Sequence, residues 1–440
     1  MAVARVSTDE TDRPVGYWEL LKQNRRFRLL WTAQLISTAG DWFNSVAVLG
    51  LVLQLTGSGL GPSLVLLAST VPMFFLIPIA GPVVDRFDRR RVMILTNLFS
   101  AAVSLLFLLV KTESMVWLLY VANILLVCSA AFFIPASSAS IPNIVTRGEL
   151  FSANALGGAA WGVMLMVGSA LGGIVSTLFG RDVAFVVNAL SFLAAAGLIA
   201  LIHVPSPPAT GKRMNPLKDF GEGMRYLRAS LPSLALVGIE LGWGFGIGVV
   251  VLLSVLGTQV FQAGDAGIGI LYAGRGLGVL IGPLALPLVA GNNVRKLRAA
   301  IWLSFLVTAA GYLLVAYAGW AGDLWLAAGA LILAHFGGGL VWAGGSVLLQ
   351  LTIPDRLRGR VLSVNGGLST LGSGVSTLVF GLALEAGSSP MALAVAGAAI
   401  FAAYGVLWGL LTARGPFQIS EATLAASEPP QRADEGHAET

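Results

Sequence analysis

Asp41, Glu240 and Arg275 fall inside long apolar stretches, where ionisable side chains are rare. Asp41 sits near the middle of its stretch. Gln34, Ser37, Asn44 and Ser45 share its stripe, at steps of three and four that put them on one helix face. A carboxylate at such depth is costly and normally faces a cavity or a partner. Low dielectric favours its neutral form, which suits a proton carrier. The alternative for Asp41, Asn44 and Ser45 is structural, a hydrogen bond to a neighbouring helix. Glu240 lies nearer one end of its stretch. It is either a second proton-handling group or a residue that snorkels toward a loop. Arg275 needs a counter-charge, because an unpaired cation in an apolar interior is expensive. Asp41 and Glu240 are the available carboxylates. The alternative is a cavity-exposed guanidinium that attracts anionic substrates. Trp161, Trp342 and Phe380 are candidates for an apolar pocket wall, although aromatics in such helices usually just pack. Asn365, Ser369, Ser373 and Ser376 form a milder polar stripe.

Other chemistries lack their residues. His203, His335 and His437 are far apart, and Cys128 is the single cysteine. No nucleophile–base pair or metal-ligand set emerges, so neither an enzyme, a metal site nor a cofactor is expected. His335 reads as a hydrogen-bonded structural residue. No G-x-x-x-x-G-K-[ST] loop is present, which argues against an ATP-driven pump. Sparse charge favours apolar or amphiphilic cargo over sugars or polyanions.

The elements that must carry these residues are membrane helices. Hydrophobic residues make up 56% of the chain and charged residues 11%, where a soluble domain carries about 25% charged. Twelve apolar stretches can be drawn, at 29–54, 62–84, 92–110, 115–137, 157–179, 183–203, 234–257, 267–289, 299–318, 324–348, 361–385 and 390–412. Continuous runs of this length are helical; barrel strands would alternate. Of 27 Lys and Arg residues, all but Lys111, Arg181 and Arg275 lie in alternate gaps or in the tails. Short basic loops stay in the cytoplasm. The expectation is therefore an all-α polytopic protein of a bacterial inner or plasma membrane, with both termini inside. The net charge of +5 then belongs to the cytoplasmic leaflet and not to nucleic acid. Met1–Pro14 is polar and the first apolar stretch is too long for a signal h-region, so no cleavable signal is expected.

The halves repeat. Ile141-Pro142-Asn143, Arg147-Gly148 and Ser152-Ala153-Asn154 return as Ile353-Pro354-Asp355, Arg358-Gly359 and Ser363-Val364-Asn365. Gly81-Pro82 matches Gly282-Pro283. Two six-helix bundles related by a parallel repeat enclose a central cavity that can rock open to either side. The expected units are an N-terminal segment 1–28 with an interfacial anchor at Tyr17–Arg28, a bundle 29–203, a linker 204–233 with an amphipathic helix, a bundle 234–413, and a disordered tail 414–440. The working unit is expected to be a monomer in lipid.

Gly81-Pro82-Val83-Val84-Asp85-Arg86-Phe87-Asp88-Arg89-Arg90 resembles the major facilitator signature loop G-x-x-x-D-R-x-G-R-R, with Asp88 in place of the usual Gly. The equivalent loop of the second half, Gly291–Lys296, keeps the charge and loses the Asp. Gly40–Asn44, Ala273–Gly278 and Pro354–Arg360 are similar to the drug–proton antiporter group that includes bacterial macrolide and siderophore exporters. Gly168-Ser169-Ala170-Leu171-Gly172-Gly173 resembles the antiporter motif G-P-x-x-G-G, with Ser169 replacing Pro. The resemblance covers about Tyr17 to Ala413. It implies twelve helices, and a latch in which Gly81, Asp85, Arg86, Arg89 and Arg90 hold one state through the N-terminus of the eleventh span. It also implies export of a hydrophobic or amphiphilic molecule in exchange for protons. An uptake symporter or lipid translocase on the same fold is the alternative.

Overall fold

The apolar stretches form helices because hydrocarbon leaves backbone N–H and C=O groups no partner but each other. This computed structural model describes residues 15–84, 86–204, 221–222, 224–225, 227, 231–291, 293–353 and 355–413. A short helix, α1 (Tyr17–Gln23), precedes α2 (Arg25–Thr56), α3 (Leu60–Val84), α4 (Arg89–Ser104, prolonged by a 3-10 turn to Leu109), α5 (Val116–Ile144), α6 (Arg147–Phe179) and α7 (Arg181–Ala200). The second half holds α8 (Leu231–Ile247), α9 (Gly264–Ala290), α10 (Val294–Ala321), α11 (Leu324–Thr352), α12 (Asp355–Glu385) and α13 (Pro390–Ala413). The span of α8 continues to Val260 through a 3-10 turn, one α-turn and a π-turn. Among the described residues, eleven helices are long and apolar enough to cross a bilayer. The remaining span is α3, with its apolar run Leu60–Leu76.

Two bundles result. In the first, α2 packs on α6 and α7, and α4 and α5 pack on each other and on α7 and α3 respectively. In the second, α11 packs on α9 and α10, and α8 lies between α12 and α13. The second bundle has an aromatic heart: Tyr312 stacks on Phe401 at 5.8 Å, and Phe305 lies 5.2 Å from Tyr404. The bundles meet along two seams, α6 with α9 and α3 with α12.

One end of the molecule, where α2 begins, is basic. It carries Arg25, Arg26, Arg28, Arg86, Arg89–Arg91, Arg147, Arg295, Lys296 and Arg298. Here Leu20, Phe27, Met93 and Ile144 form a separate buried cluster that ties α1 to the first bundle. Asn24 donates to the Ile144 carbonyl at 2.8 Å and to Glu149 at 3.1 Å, and Thr146 and Glu149 form a capping box that starts α6. Trp18 of the expected anchor stands exposed at this end. The opposite, far end holds Lys111, Arg181, Asp182 and Asp265.

The stretches 115–137 and 157–179 fall short of α5 and α6, which run on to Ile144 and begin at Arg147. The extra turns are polar. Their side chains bond to their own helix, as Ser140 does to the Ala136 carbonyl and Asn154 to that of Leu150. The expected N-terminal residues 1–14, most of the linker helix, Pro354 and the tail 414–440 lie outside the described residues.

Candidate functional site

The polar stripe of α2 opens onto a cavity of about 560 Å³. Gln34, Ser37, Asp41 and Ser45 line it with Trp42, and so do Asn97 and Ser100 of α4, Ser129 and Phe133 of α5, and Trp161 of α6. Asp41 is the one charged residue among the lining residues. Its side chain is exposed to the cavity, and it has no hydrogen-bond or ion-pair partner among the described residues. Neighbours hold the stripe in place. Gln34 donates to the Ser137 hydroxyl at 2.7 Å, and the Ser37 and Ser45 hydroxyls donate to the carbonyls of Gln34 and Asp41. Trp42 lies edge-on to Trp161, centroids 6.2 Å apart, and 6.1 Å from Tyr272 of α9. That contact crosses from one bundle to the other.

The cavity reaches from Ser45 in mid-helix to Ile141, within about one turn of the basic end of α5, and to Asn154, about two turns from that of α6. The seams explain its direction. Toward the far end the bundles touch closely. A Cβ on Gly269 would stand 2.5 Å from the Ser169 carbonyl oxygen and 3.0 Å from Gly173 Cα, so only glycine admits this approach of α9 to α6. The Ala266 N–H donates to the Thr177 hydroxyl at 3.1 Å, and the Ser58 hydroxyl bonds Glu385. Toward the basic end the seams part. A Cβ at Gly81, Gly157, Gly158 or Gly366 would meet nothing within 4 Å.

An ionic clamp closes the far end. Arg181, the first residue of α7, is bidentate to Asp265 in the first turn of α9, with Nε to Oδ2 at 2.7 Å and Nη2 to Oδ1 at 2.8 Å. Arg181 Nη1 also donates to Gln54 of α2. The Asp265 side chain is 5% exposed and lies against Gly50, where any Cβ would stand 2.0 Å from Oδ1. Two carboxylate oxygens matched by a planar fork give both strength and geometry. Beside it Lys111 pairs with Asp182 at 2.7 Å. Both far-end basic residues that broke the charge alternation are thus neutralised locally.

Other expected site residues separate. Arg275 pairs with neither Asp41 nor Glu240: its Nε has no partner, and its guanidinium lies 5.6 Å from the Tyr272 ring centroid. Where α2 and α9 face each other it is Trp42 and Tyr272 that meet, ring centroids 6.1 Å apart. Glu240 instead sits near Asn365, where α8 packs on α12. Neither lines the cavity. Asn44 is buried, with its oxygen unpartnered. Phe380 is 4% exposed and packs in the core by Val249 and Gly397, so it is no pocket wall. Its apolar face is filled by α8 and α13. Trp342 is 61% exposed. On α11 it lies between Gly338 and Gly345, which abut α8, and Gly339, which abuts α9, and away from Gly344, which faces α10. It therefore faces the space between the bundles. His335 is buried, its Nε2 3.0 Å from the Tyr312 hydroxyl, as a structural histidine would be.

In the signature loop, Asp85 lies outside the described residues, a Cβ at Gly81 would meet nothing within 4 Å, and Arg86 is exposed. Arg89 donates to the Ala139 carbonyl of α5 at 2.7 Å, and Arg90 to the Ala200 and Ile199 carbonyls at the end of α7. Guanidinium groups at helix C-termini meet free carbonyls and the negative end of the dipole. Asp88, the departure from the signature, caps α4 by accepting from the Arg91 N–H at 2.8 Å. The residues that sequence reasoning missed are Trp42, Tyr272 and the clamp. For the clamp one signal was present: Arg181 sat on the wrong side of the charge pattern.

The family described as transmembrane secretion effectors matches residues 17–430, nearly the whole chain. The chain belongs to that family, within the major facilitator superfamily. It is a multi-pass membrane transporter, and its family and relatives are not enzymes. It is 28% identical over 396 residues to the enterobactin exporter EntS of Escherichia coli O1:K1 / APEC, covering 86% of this chain and 89% of that one. It is 27% identical over 378 residues to the uncharacterized MFS-type transporter YfiS of Bacillus subtilis, covering 80% and 85%. Against macrolide efflux protein A of Streptococcus pyogenes the figures are 23% over 278 residues, 62% and 68%. Among solved structures, the nucleoside transporter NupG superposes with a TM-score of 0.68 at 12% identity, covering 91% of this chain and all of that one. The human organic anion transporter MFSD10 superposes with a TM-score of 0.60 at 16% identity, over 88% and 98%. These two likenesses carry the fold alone.

Proposed function

We propose that this protein exports a hydrophobic or amphiphilic small molecule by alternating access, in exchange for protons. One observation carries the reading. A cavity with aromatic walls and a single, partnerless carboxylate opens toward the basic end, while the far end is sealed. The basic end is the cytoplasmic one, by the positive-inside rule. On this reading both termini lie in the cytoplasm of a bacterial cell, and this conformation is inward-open. Cargo enters between Trp161, Phe133 and Trp42. Asp41 is protonated from outside in one state and releases its proton inside in the other. The relatives' names, a macrolide efflux protein and an enterobactin exporter, support the direction and the amphiphilic class. The loop from Gly81 to Arg90 latches the opposite, outward-open state through Asp85. A monomer suffices, because the cavity and the clamp lie within one chain.

The test is respiration-driven uptake into everted vesicles with a panel of dyes, macrolides and siderophores. Accumulation abolished by a protonophore is the expected result. Accumulation that ignores the proton gradient for every compound would remove proton exchange.

A further inference from the structure

Arg275 is the residue whose expected partner is missing, and its surroundings say what it awaits. Its helix fixes its direction. Gly276 packs on Met166 of α6 and Gly274 on Ala328 of α11, while Leu284 is exposed. Leu284 is nine positions along from Arg275, about two and a half turns, so the two point to opposite sides of α9. Arg275 thus faces the interior of the molecule, away from lipid.

Three polar atoms around it lack partners. They are Arg275 Nε, the hydroxyl of Tyr272, which is 2% exposed, and Nδ1 of the fully buried His335. The Arg275 guanidinium lies 5.6 Å from the Tyr272 ring centroid, and Gly278, one turn along α9, packs on the backbone of His335, so these groups form one neighbourhood. His335 Nε2 and the Tyr312 hydroxyl are already engaged with each other. Buried polar groups are nearly always satisfied, by protein, water or ligand. Water would satisfy dipoles here, but it would leave the cation without a counter-charge. A guanidinium is a donor only, and a tyrosine hydroxyl can donate. Together they call for an acceptor-rich anion, and the planar fork matches carboxylate, sulfonate or phosphate groups.

We propose that Arg275 and the Tyr272 hydroxyl form a subsite for the acidic group of an anionic amphiphile, one step beyond the open cavity. The subsite rests on the export reading above and names the class of cargo. Trp42 is the partition: it lines the open cavity on one side and lies 6.1 Å from Tyr272 on the other. The apolar body of the cargo occupies the Trp42–Trp161 wall. Its acidic group passes Trp42 when α2 and α9 shift relative to each other. Asp41 stays free for its proton, since cargo and proton use different residues on opposite bundles.

Two probes that share an anilinonaphthalene frame test this, 8-anilinonaphthalene-1-sulfonate and uncharged N-phenyl-1-naphthylamine. Binding of each is measured by scintillation proximity on purified full-length protein. Arg275→Gln should weaken the sulfonate about tenfold or more and leave the neutral amine within about twofold, as loss of one charge-assisted contact implies. Tyr272→Phe should weaken the sulfonate alone, by a few-fold. Arg275→Lys keeps the charge and should recover part of the sulfonate binding, which separates recognition from misfolding. An unchanged ratio of the two affinities in Arg275→Gln would overturn the subsite, and so would equal affinities in the wild type. A site that holds only water gives that unchanged ratio. Respiration-driven export of the neutral amine by the wild type is scored separately. Its absence would count against the export reading, while the binding ratio still decides the subsite.

Discussion

The two ends of the molecule use the same seams differently. At the far end α6 and α9 close on glycine-to-backbone contacts, and a buried ion pair bolts the bundles. At the basic end glycines of the same kind face empty space: Gly157 and Gly158 on α6, Gly81 on α3 and Gly366 on α12. Small residues that let backbones approach are the usual means of helix association in membranes. Their presence on both sides of a closed point shows two potential contact surfaces, only one of them engaged. Under alternating access each end closes when the other opens. On the proposed cycle the difference would lie in the fastening: charge at the far end, and the proposed basic loop with Asp85 at the other.

The clamp is the place to break this asymmetry hardest. Arg181→Ala leaves Asp265 buried without its cation whenever the far end is closed, a penalty of about 3 kcal/mol or more for a buried pair. The far end should open in a large share of molecules. Distances between spin labels at Gly57 and Gly387, in the far-end turns, would report it. Exchanging the charges, Arg181→Asp with Asp265→Arg, should restore closure in part, and failure of either change to alter the distances would show that the pair fastens nothing.

A steric wedge tests the same end without charge. Gly269→Val places atoms into the Ser169 backbone and should cost about 1–3 kcal/mol of closure, as overpacking does. The expected sign is a faster-opening far end with the fold intact by circular dichroism. A variant that closes normally would mean that the seam has slack.

At the basic end, Asp85→Ala should shift the ensemble further toward the inward-open form and slow turnover, by less than the clamp variants. Labels at the basic ends of α3 and α12 should show longer mean distances. Smallest of all is the cap. Asp88→Ala removes the side chain that accepts from Arg91 and should cost about 1 kcal/mol of stability. Thermal unfolding in detergent should drop by a few degrees, with transport unaltered. Asp88→Gly should cost less, because glycine is a tolerable cap.

The fold was legible because lipid enforces simple rules. Apolar length gave the spans, and basic gaps gave the ends. Where a helix outran its apolar run, as α5 and α6 do, hydropathy could not follow. Polar turns facing a cavity look like loops. Within the site, Gln34, Ser37, Asp41 and Ser45 line one cavity because period 3.6 fixes a face, whereas Asn44 of the same stripe is buried and Trp161 arrives from another helix by no spacing rule. Phe380 did not, because lipid-facing, core and cavity-wall aromatics share one composition and one period. The Arg181–Asp265 pair joins residues of different bundles, and no spacing rule relates those. Arg275 stood out in the sequence by cost, but cost alone does not say where its counter-charge comes from, and the structure pairs it with neither expected acid.

Asp41 carries the central claim, and one measurement meets it directly. Everted vesicles holding either wild-type protein or Asp41→Asn are energised by respiration, and accumulation is followed for a compound that the wild type exports. Both proteins are checked for equal insertion and equal binding of that compound. The expected result is proton-driven accumulation by the wild type and none by Asp41→Asn, with facilitated, gradient-independent exchange of the compound retained in both. Accumulation by Asp41→Asn at the wild-type rate, still collapsed by a protonophore, would contradict the assignment of the proton to Asp41.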